Sequence, residues 1–443
     1  MAAWLASFLL TSIVLTAFIG GMRSGIGAVL VIRPLCDRIF EQARFEVAGH
    51  DLSYGAVMNL IVVGAMLLSL QRVNNRIQVT LERAWVPFLL LALVAVWYSP
   101  VAVDAFRKFL TYVSYMAMFI LPFALVKTRG GAEQFFKLII LSSVMPVLYG
   151  LFELVSGLDW YQGGRIESTF THPNIFSFYL LTVIGTILSL LSTNRVQLTD
   201  RARAILSCYL LPLLVLLVMT KTRSAWAACL FLFVMYGIVQ DKRVLVLSLV
   251  LPVLMLAVPG VWERLTALAS GNAYVGWVQN VNPYAWRQIL WEKAFPLIQQ
   301  RPLFGYGLYS FPYYSPTFFP LESTRGVDAH NVYIQLLFET GVVGLCAFLW
   351  IFWRQFTRLL RYWPFDRRGV TMVAAMLGIY LITSYSDNLL EYVSYGWCYW
   401  FTAGLIFADL SQYRNHVTIT PKTGAPRTSV IELRPAGAHV WSA

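Results

Sequence analysis

Apolar runs of about 18 residues or more recur from one end of this chain to the other, each long enough to cross the hydrocarbon core of a bilayer. Any fold must first find a solvent for them. Of the 443 residues, 58% are hydrophobic and only 13% charged, whereas a soluble domain carries roughly 25% charged residues. The runs do not alternate apolar with polar positions, which excludes a transmembrane β-barrel. The chain therefore reads as an all-α polytopic membrane protein with about 12 transmembrane helices.

The expected spans are 4–20, 54–70, 84–99, 106–126, 136–156, 174–192, 204–220, 224–240, 244–258, 331–353, 369–387 and 393–410. Gly, Pro and charge clusters bound several of them, as helix ends require. Residues 1–258 thus carry helices 1–9 with short loops, 259–330 form a large loop, 331–410 carry helices 10–12, and 411–443 read as a disordered tail. No lysine or arginine precedes the first run, so it reads as a spanning helix rather than a secretory signal. Cys208, Cys229, Cys346 and Cys398 lie in apolar runs and Cys36 stands alone, a spacing that suggests neither disulfides nor a metal site.

Positive charge orients the spans. Arg72, Arg76 and Arg83, Lys127, Arg129 and Lys137, Arg195, Arg201 and Arg203, Lys242 and Arg243, and Arg354 to Arg368 fall in loops that alternate with acidic or neutral ones. The basic set reads as cytoplasmic, with both termini inside; the net charge of +12 reflects this bias and is no evidence for nucleic acid. Residues 21–53 fit poorly. Their outer position conflicts with Arg23, Arg33, Arg38 and Arg44, balanced by Asp37, Glu41, Glu46 and Asp51, so an interfacial helix or re-entrant piece is expected. In the large loop, Trp286, Leu290, Ala294, Leu297 and Ile298 form a stripe that predicts a helix over 283–302, lying on the membrane or capping the bundle.

Four basic residues stand on the side that the charge rule disfavours: Arg165, Lys221, Arg223 and Arg287. Guanidinium forks bind phosphate oxygens bidentately and stabilise charge that develops on a departing pyrophosphate. Helix N-termini expected at Asn174 and Ser224 would add N–H donors. No Asp-rich motif points to a divalent metal or other cofactor in that role. The ordinary alternative for an arginine at a span end is a snorkelling anchor. For Arg223 the turn is so short that its side chain must stay at the bundle mouth. His172 before Pro173 reads as a helix-entry residue or a ligand-binding one. His330 ends the large loop and reads either as a cap or as a reactive group, while Glu339 lies inside a span, where acids are paired or functional.

These residues give the chain a resemblance to the O-antigen ligase and Wzy-type polysaccharide polymerase superfamily of bacterial envelope glycosyltransferases. It rests on Arg165 with Thr171-His172-Pro173-Asn174, Thr222-Arg223-Ser224, Arg287, Pro302-Leu303-Phe304-Gly305-Tyr306-Gly307, and His330-Asn331-Val332-Tyr333 with Glu339 and Gly341. It covers roughly 155–410; residues 1–150 match only in span pattern. The resemblance implies a GT-C-like, metal-independent, inverting glycosyltransferase without cofactor, in the bacterial inner membrane with its site facing the periplasm. The implied donor is an undecaprenyl-pyrophosphate-linked glycan; the acceptor is a glycan or lipid A–core. By matching position, Arg223 and Arg287 would bind the pyrophosphate and His330 would be the acceptor-side catalytic group, with Arg165, Lys221, His172, Asn174 and Glu339 lining the substrate. Membrane lipids, a chain-length regulator and a flippase are the further partners it implies. Lys221-Thr222-Arg223-Ser224 before Trp226 resembles exopolysaccharide polymerases somewhat more than ligases to lipid A–core. A transporter is a more distant alternative, against which the absence of a visible half-repeat counts.

Overall fold

The computed structural model describes residues 2–47, 50–70, 76–127, 130–158, 164–193, 195–255, 283–322, 324–416 and 440–441. The first part of the large loop, 256–282, and most of the expected disordered tail, 417–439, lie outside the described residues, as do Arg72, Arg129 and Gly163. Helices dominate the rest, because a backbone in hydrocarbon must satisfy its own hydrogen bonds.

In chain order the first helices are α1 (Ala2–Ile19), α2 (Met22–Leu35), α3 (Asp37–Gln42), α4 (Tyr54–Leu70), α5 (Arg76–Trp97) and α6 (Ala102–Leu125). An antiparallel hairpin of β1 (Arg44–Val47) and β2 (His50–Ser53) precedes α4. There follow α7 (Gly131–Ser142), α8 (Val144–Ser156), α9 (Pro173–Ser192), α10 (Asp200–Met219), α11 (Arg223–Val239) and α12 (Lys242–Met255). After the loop come α13 (Pro283–Gln300), α14 (Ser310–Phe318), α15 (Val332–Leu359), α16 (Arg367–Ser384) and α17 (Val393–His416). Helix underlies most of each of the twelve expected spans, over the described residues. Among the described residues, five helical stretches are long and apolar enough to cross a membrane: Ala102–Leu125, Gly131–Ser156, Pro173–Ser192, Asp200–Met219 and Val332–Tyr362. The third is buried along its whole length and forms the axis, packed by α10, α11, α16 and α17.

Residues 21–53 hold two helices and the hairpin. Near its start, α2 donates from Arg23 to the Leu125 carbonyl at the C-terminal end of α6 (3.0 Å). Near its end, the Pro34 carbonyl accepts from Thr169 in the loop before α9 (2.8 Å). This helix therefore links the C-terminal end of α6 to the loop before α9. The exposed Arg23 has its carbonyl, and the buried Arg33 pairs with Asp37 and Glu41 (3.4 and 2.7 Å). Trp4 packs on Tyr54 and Ser7 donates to Ile39, so α1 begins at the end where α4 and α6 begin. At the other end of α6, Gln412 of α17 donates to Val126.

α15 is not one continuous helix. Gly341 takes φ 67° and ψ −170°, a conformation that is nearly glycine-only, and breaks the helix between Thr340 and Val342. Segment 302–308 laces into the break. Tyr306 and Gly307 N–H groups donate to the Phe338 and Glu339 carbonyls (both 2.9 Å), and the Val342 N–H donates to Pro302 O (2.8 Å). A Cβ on Gly305 would fall 2.4 Å from Phe338 O, and one on Gly341 would fall 2.2 Å from Leu303 C. The stripe on α13 caps the bundle: Leu290, Ala294 and Ile298 share a small second core with Tyr306, Phe311, Phe319, Ala329 and Phe338.

At the end away from His330, a buried triad clamps three elements. Arg195, after α9, pairs with Asp366 (2.8 Å) and with Asp409 of α17. Asp366 also caps α16, accepting from Gly369 N (3.0 Å), and accepts from Thr193 (2.5 Å). Burial alone would raise the Asp366 pKa, but Arg195 and these hydrogen bonds hold it below the ordinary carboxylate value. Its contribution to stability is therefore full at neutral pH and is lost as pH falls through the carboxylate range. Arg195→Ala strands two buried carboxylates and should destabilise the detergent-solubilised protein by about 3–5 kcal/mol, read as a fall in Tm. Gly341→Ala should also lower Tm, because the break admits no Cβ.

Candidate functional site

The residues singled out in the sequence come together where α9, α11, α15 and α17 begin and α10 and α16 end. The loop before α9 is pinned first. Glu153 of α8 accepts from the Ser168 and Glu167 N–H groups (2.8 and 3.4 Å), which fixes Ser168 at a left-handed φ of 56°. From the other side Arg38 ion-pairs with Glu167 and donates to Phe170 O (3.2 Å). This explains Arg38 where the charge rule could not: it holds this loop.

On that support Arg165 is positioned by several partners. Its Nε donates to Thr220 O (2.9 Å), and its Nη2 donates to Asn174 Oδ1 (2.7 Å) and Thr222 Oγ1 (3.2 Å). Asn174 passes the connection on, donating from Nδ2 to Asp387 Oδ2 (2.5 Å). Asp387, in the short loop between α16 and α17, is 1% exposed at its side chain. Its Oδ1 accepts from the Tyr392 hydroxyl (2.7 Å) and the Asn388 N–H (3.0 Å) and faces His330 Nδ1 at 3.4 Å. Burial would raise the Asp387 pKa; the His330 hydrogen bond and the nearby Arg287 charge outweigh it and hold this carboxyl well below the usual range. An ionised carboxylate can only accept, so it favours a proton on His330 Nδ1, the tautomer in which a neutral imidazole has Nε2 as its acceptor.

His330 sits at a left-handed φ of 48°, with its ring edge-to-face against Trp286 of α13 at 5.7 Å. Its side chain is 37% exposed. It is not the cap of α15. Asn331 is, accepting from the Tyr333 and Ile334 N–H groups (2.9 and 3.1 Å). Glu339 lies away from the imidazole, fully buried, and accepts from Gln335 (2.5 Å). The same Gln335 accepts from the Ala329 N–H (2.8 Å). Glu339 thus reaches His330 through the backbone, holding the residue before it.

His172 is the cap of α9. Its Nδ1 accepts from Asn174 N (3.0 Å), with Pro173 at the first helical position. Burial, then the Arg165, His330 and Arg287 charges, lower its pKa to about 4 against an opposing pull from Asp387. Lys221 occupies a left-handed position (φ 52°) with its Nζ over Gly164, where a Cβ would lie 3.3 Å away. Arg223 is the first residue of α11, half-buried next to Thr222. Arg287 stands one residue after Trp286, near enough for its charge to act on Asp387 and His172. The arrangement is a histidine on a buried carboxylate, surrounded by four cations at one end of a helical bundle. Such a site can take a proton from a hydroxyl while binding an anion beside it. Asp387 and Tyr392 escaped sequence reasoning; the only trace was an acidic loop, used there to orient the spans.

Residues 208–349 match the family model described as O-antigen ligase. No curated protein matches the chain. The matched segment runs from within α10 to within α15 and takes in Lys221, Arg223, Arg287, His330, Glu339 and Gly341, but not Arg165, Asn174 or Asp387. Over that segment it bears out the resemblance to the O-antigen ligase and Wzy-type polymerase superfamily, and it supports a ligase- or polymerase-type function in general.

A cap can be replaced by another cap. His172→Asn should keep both stability and the pH profile of activity between about 5 and 8, since an imidazole with a pKa near 4 does not titrate there. His172→Ala should cost about 1 kcal/mol in thermal unfolding through loss of the cap. A changed acid limb in the Asn variant would assign His172 a protonic role.

Proposed function

We propose that the protein transfers a glycan from an undecaprenyl-pyrophosphate donor to an acceptor sugar hydroxyl, at the periplasmic face of the bacterial inner membrane. His330 Nε2 removes the acceptor proton. The hydroxyl oxygen attacks the anomeric carbon from the face opposite the leaving group, and the bond to pyrophosphate breaks with its electron pair, inverting the centre. Arg223 and Arg287, with Lys221 beside them, bind the departing pyrophosphate and take up its developing charge. Asp387 keeps the imidazole in the reactive tautomer and stabilises the imidazolium. Arg165 acts through Asn174, holding that carboxylate in place rather than binding phosphate alone. Charge on arginines makes a metal ion unnecessary to the step. The polymerase form is preferred to ligation onto lipid A–core, on the Lys221-to-Trp226 and His172-Pro173-Asn174 blocks.

The observation that carries this reading is the His330–Asp387 pair, with Arg287 acting on the same carboxylate. In a complemented knockout, His330→Ala and Asp387→Asn should each lower transfer by about 10²-fold or more while the protein still inserts. Arg223→Ala and Arg287→Ala should cripple it likewise, and near-normal glycan in either would remove the assignment. Purified protein should convert lipid-pyrophosphate glycan in EDTA and without any ion gradient; dependence on a gradient would indicate transport instead. Single lipid-linked repeats accumulating in the knockout would mark a polymerase, and long lipid-linked chains a ligase.

A further inference from the structure

Beside this site lies a cavity of about 380 Å³ that the transfer chemistry above does not use. The hairpin end, the first turns of α4 and α6, Tyr309 and Glu391 line it. Neither His330 nor Asp387 lines it, but the loop that carries Asp387 also supplies the lining residue Glu391. Glu391 faces the cavity and pairs with Lys108, whose Nζ also donates to Leu390 O (2.9 Å). Four residues earlier the same loop supplies Asp387. Asp328, two residues before His330, is near enough to feel the charges of both Glu391 and His330.

The lining selects a class of ligand. Three cations, Arg44, Arg107 and Lys108, face three anions, Glu41, Asp104 and Glu391. A pyrophosphate would find no net attraction there, and a prenyl chain would have to desolvate all six groups. A sugar hydroxyl both donates and accepts, so it is served by both signs at once. Two lining side chains hold unused capacity. Asn59 donates to Thr111 Oγ1 (3.3 Å), but its Oδ1 is buried with no hydrogen-bond partner among the described residues. Arg107 pairs with Asp104 through Nη1 (2.8 Å), and its buried Nη2 is likewise without a hydrogen-bond partner among them. Buried polar atoms are normally satisfied; these two belong to side chains that line the cavity, and a small rotation of either would turn the unused atom toward an occupant. The volume falls within the roughly 300–1,000 Å³ common for small-ligand sites.

We propose that this cavity is a subsite for the acceptor glycan, built mostly by residues 41–111, outside the segment that matches the family model, with Tyr309, Glu391 and Val393 closing it. The inference rests on the transferase reading and names where its acceptor is held, with the loop 387–393 joining recognition to the reactive pair. The test is calorimetric titration of the full chain in nanodiscs with a lipid-free oligosaccharide cut from the host's own surface polymer. Asn59→Leu, and separately Thr111→Val, should weaken binding about tenfold, while Arg223→Ala, which removes transfer, changes it by less than about twofold. Thermal melting identifies any variant that fails to fold, and the second variant then decides. Equal affinity in folded cavity variants and parent, no binding by the parent, or displacement by inorganic pyrophosphate would each overturn the subsite. Binding that follows the cavity in a protein that transfers no glycan would keep the subsite and remove the transferase reading instead.

Discussion

The break in α15 at Gly341 is the constraint on which the rest of the site depends. Opening a helix leaves carbonyls and N–H groups without their intrahelical partners, and inside a bundle these cannot be left to water. Segment 302–308 meets them by lying against the break, at distances where a Cβ on Gly305 or Gly341 would collide with backbone. That contact fixes three things together. It anchors the end of α13, and so the position of Arg287 and Trp286. It sets the direction of the N-terminal limb of α15, which carries Glu339, Gln335 and Asn331. Through the Glu339–Gln335–Ala329 connection it holds the turn in which His330 adopts its left-handed backbone.

A second organising group is Asp387, which gathers by hydrogen bonds what the chain keeps far apart. His330 lies 57 positions away from it and Asn174 lies 213 positions away. A buried carboxylate is costly unless its lone pairs are used, and here donors from α9, the loop before α17 and the His330 turn use them. The surrounding arginines divide the labour. Arg165 is engaged with Thr220, Thr222 and Asn174, Arg38 secures the loop before α9 from α3, and Arg287 acts on the carboxylate by its charge.

Much of this was legible locally. Long apolar runs need only a count, and twelve of them coincide with helix. Gly341 in its Glu-x-Gly setting, the Pro302–Gly307 segment and His330-Asn331 were visible as patterns, although their role in breaking and splicing a helix was not. Short-range capping was also readable: His172 ahead of Pro173 is a cap, as one of its two readings held. What failed were features that depend on a distant partner. In 21–53 the acids were expected to balance the arginines as a group, whereas Arg23 is served by a carbonyl of α6 and Arg33 by two acids just beyond its own helix. Asp387 looked like an orientation marker because nothing near it in sequence reveals burial.

By itself, then, the sequence determined the solvent, the helical class and the residue types capable of chemistry, because hydrophobic length, charge count and backbone propensity are local properties. Tertiary structure alone decided which acid serves which base, which arginines are spent on scaffolding, and where a second cavity opens. Those are questions of partner and burial, and the energy of a charge in a membrane protein is set by its neighbours in space.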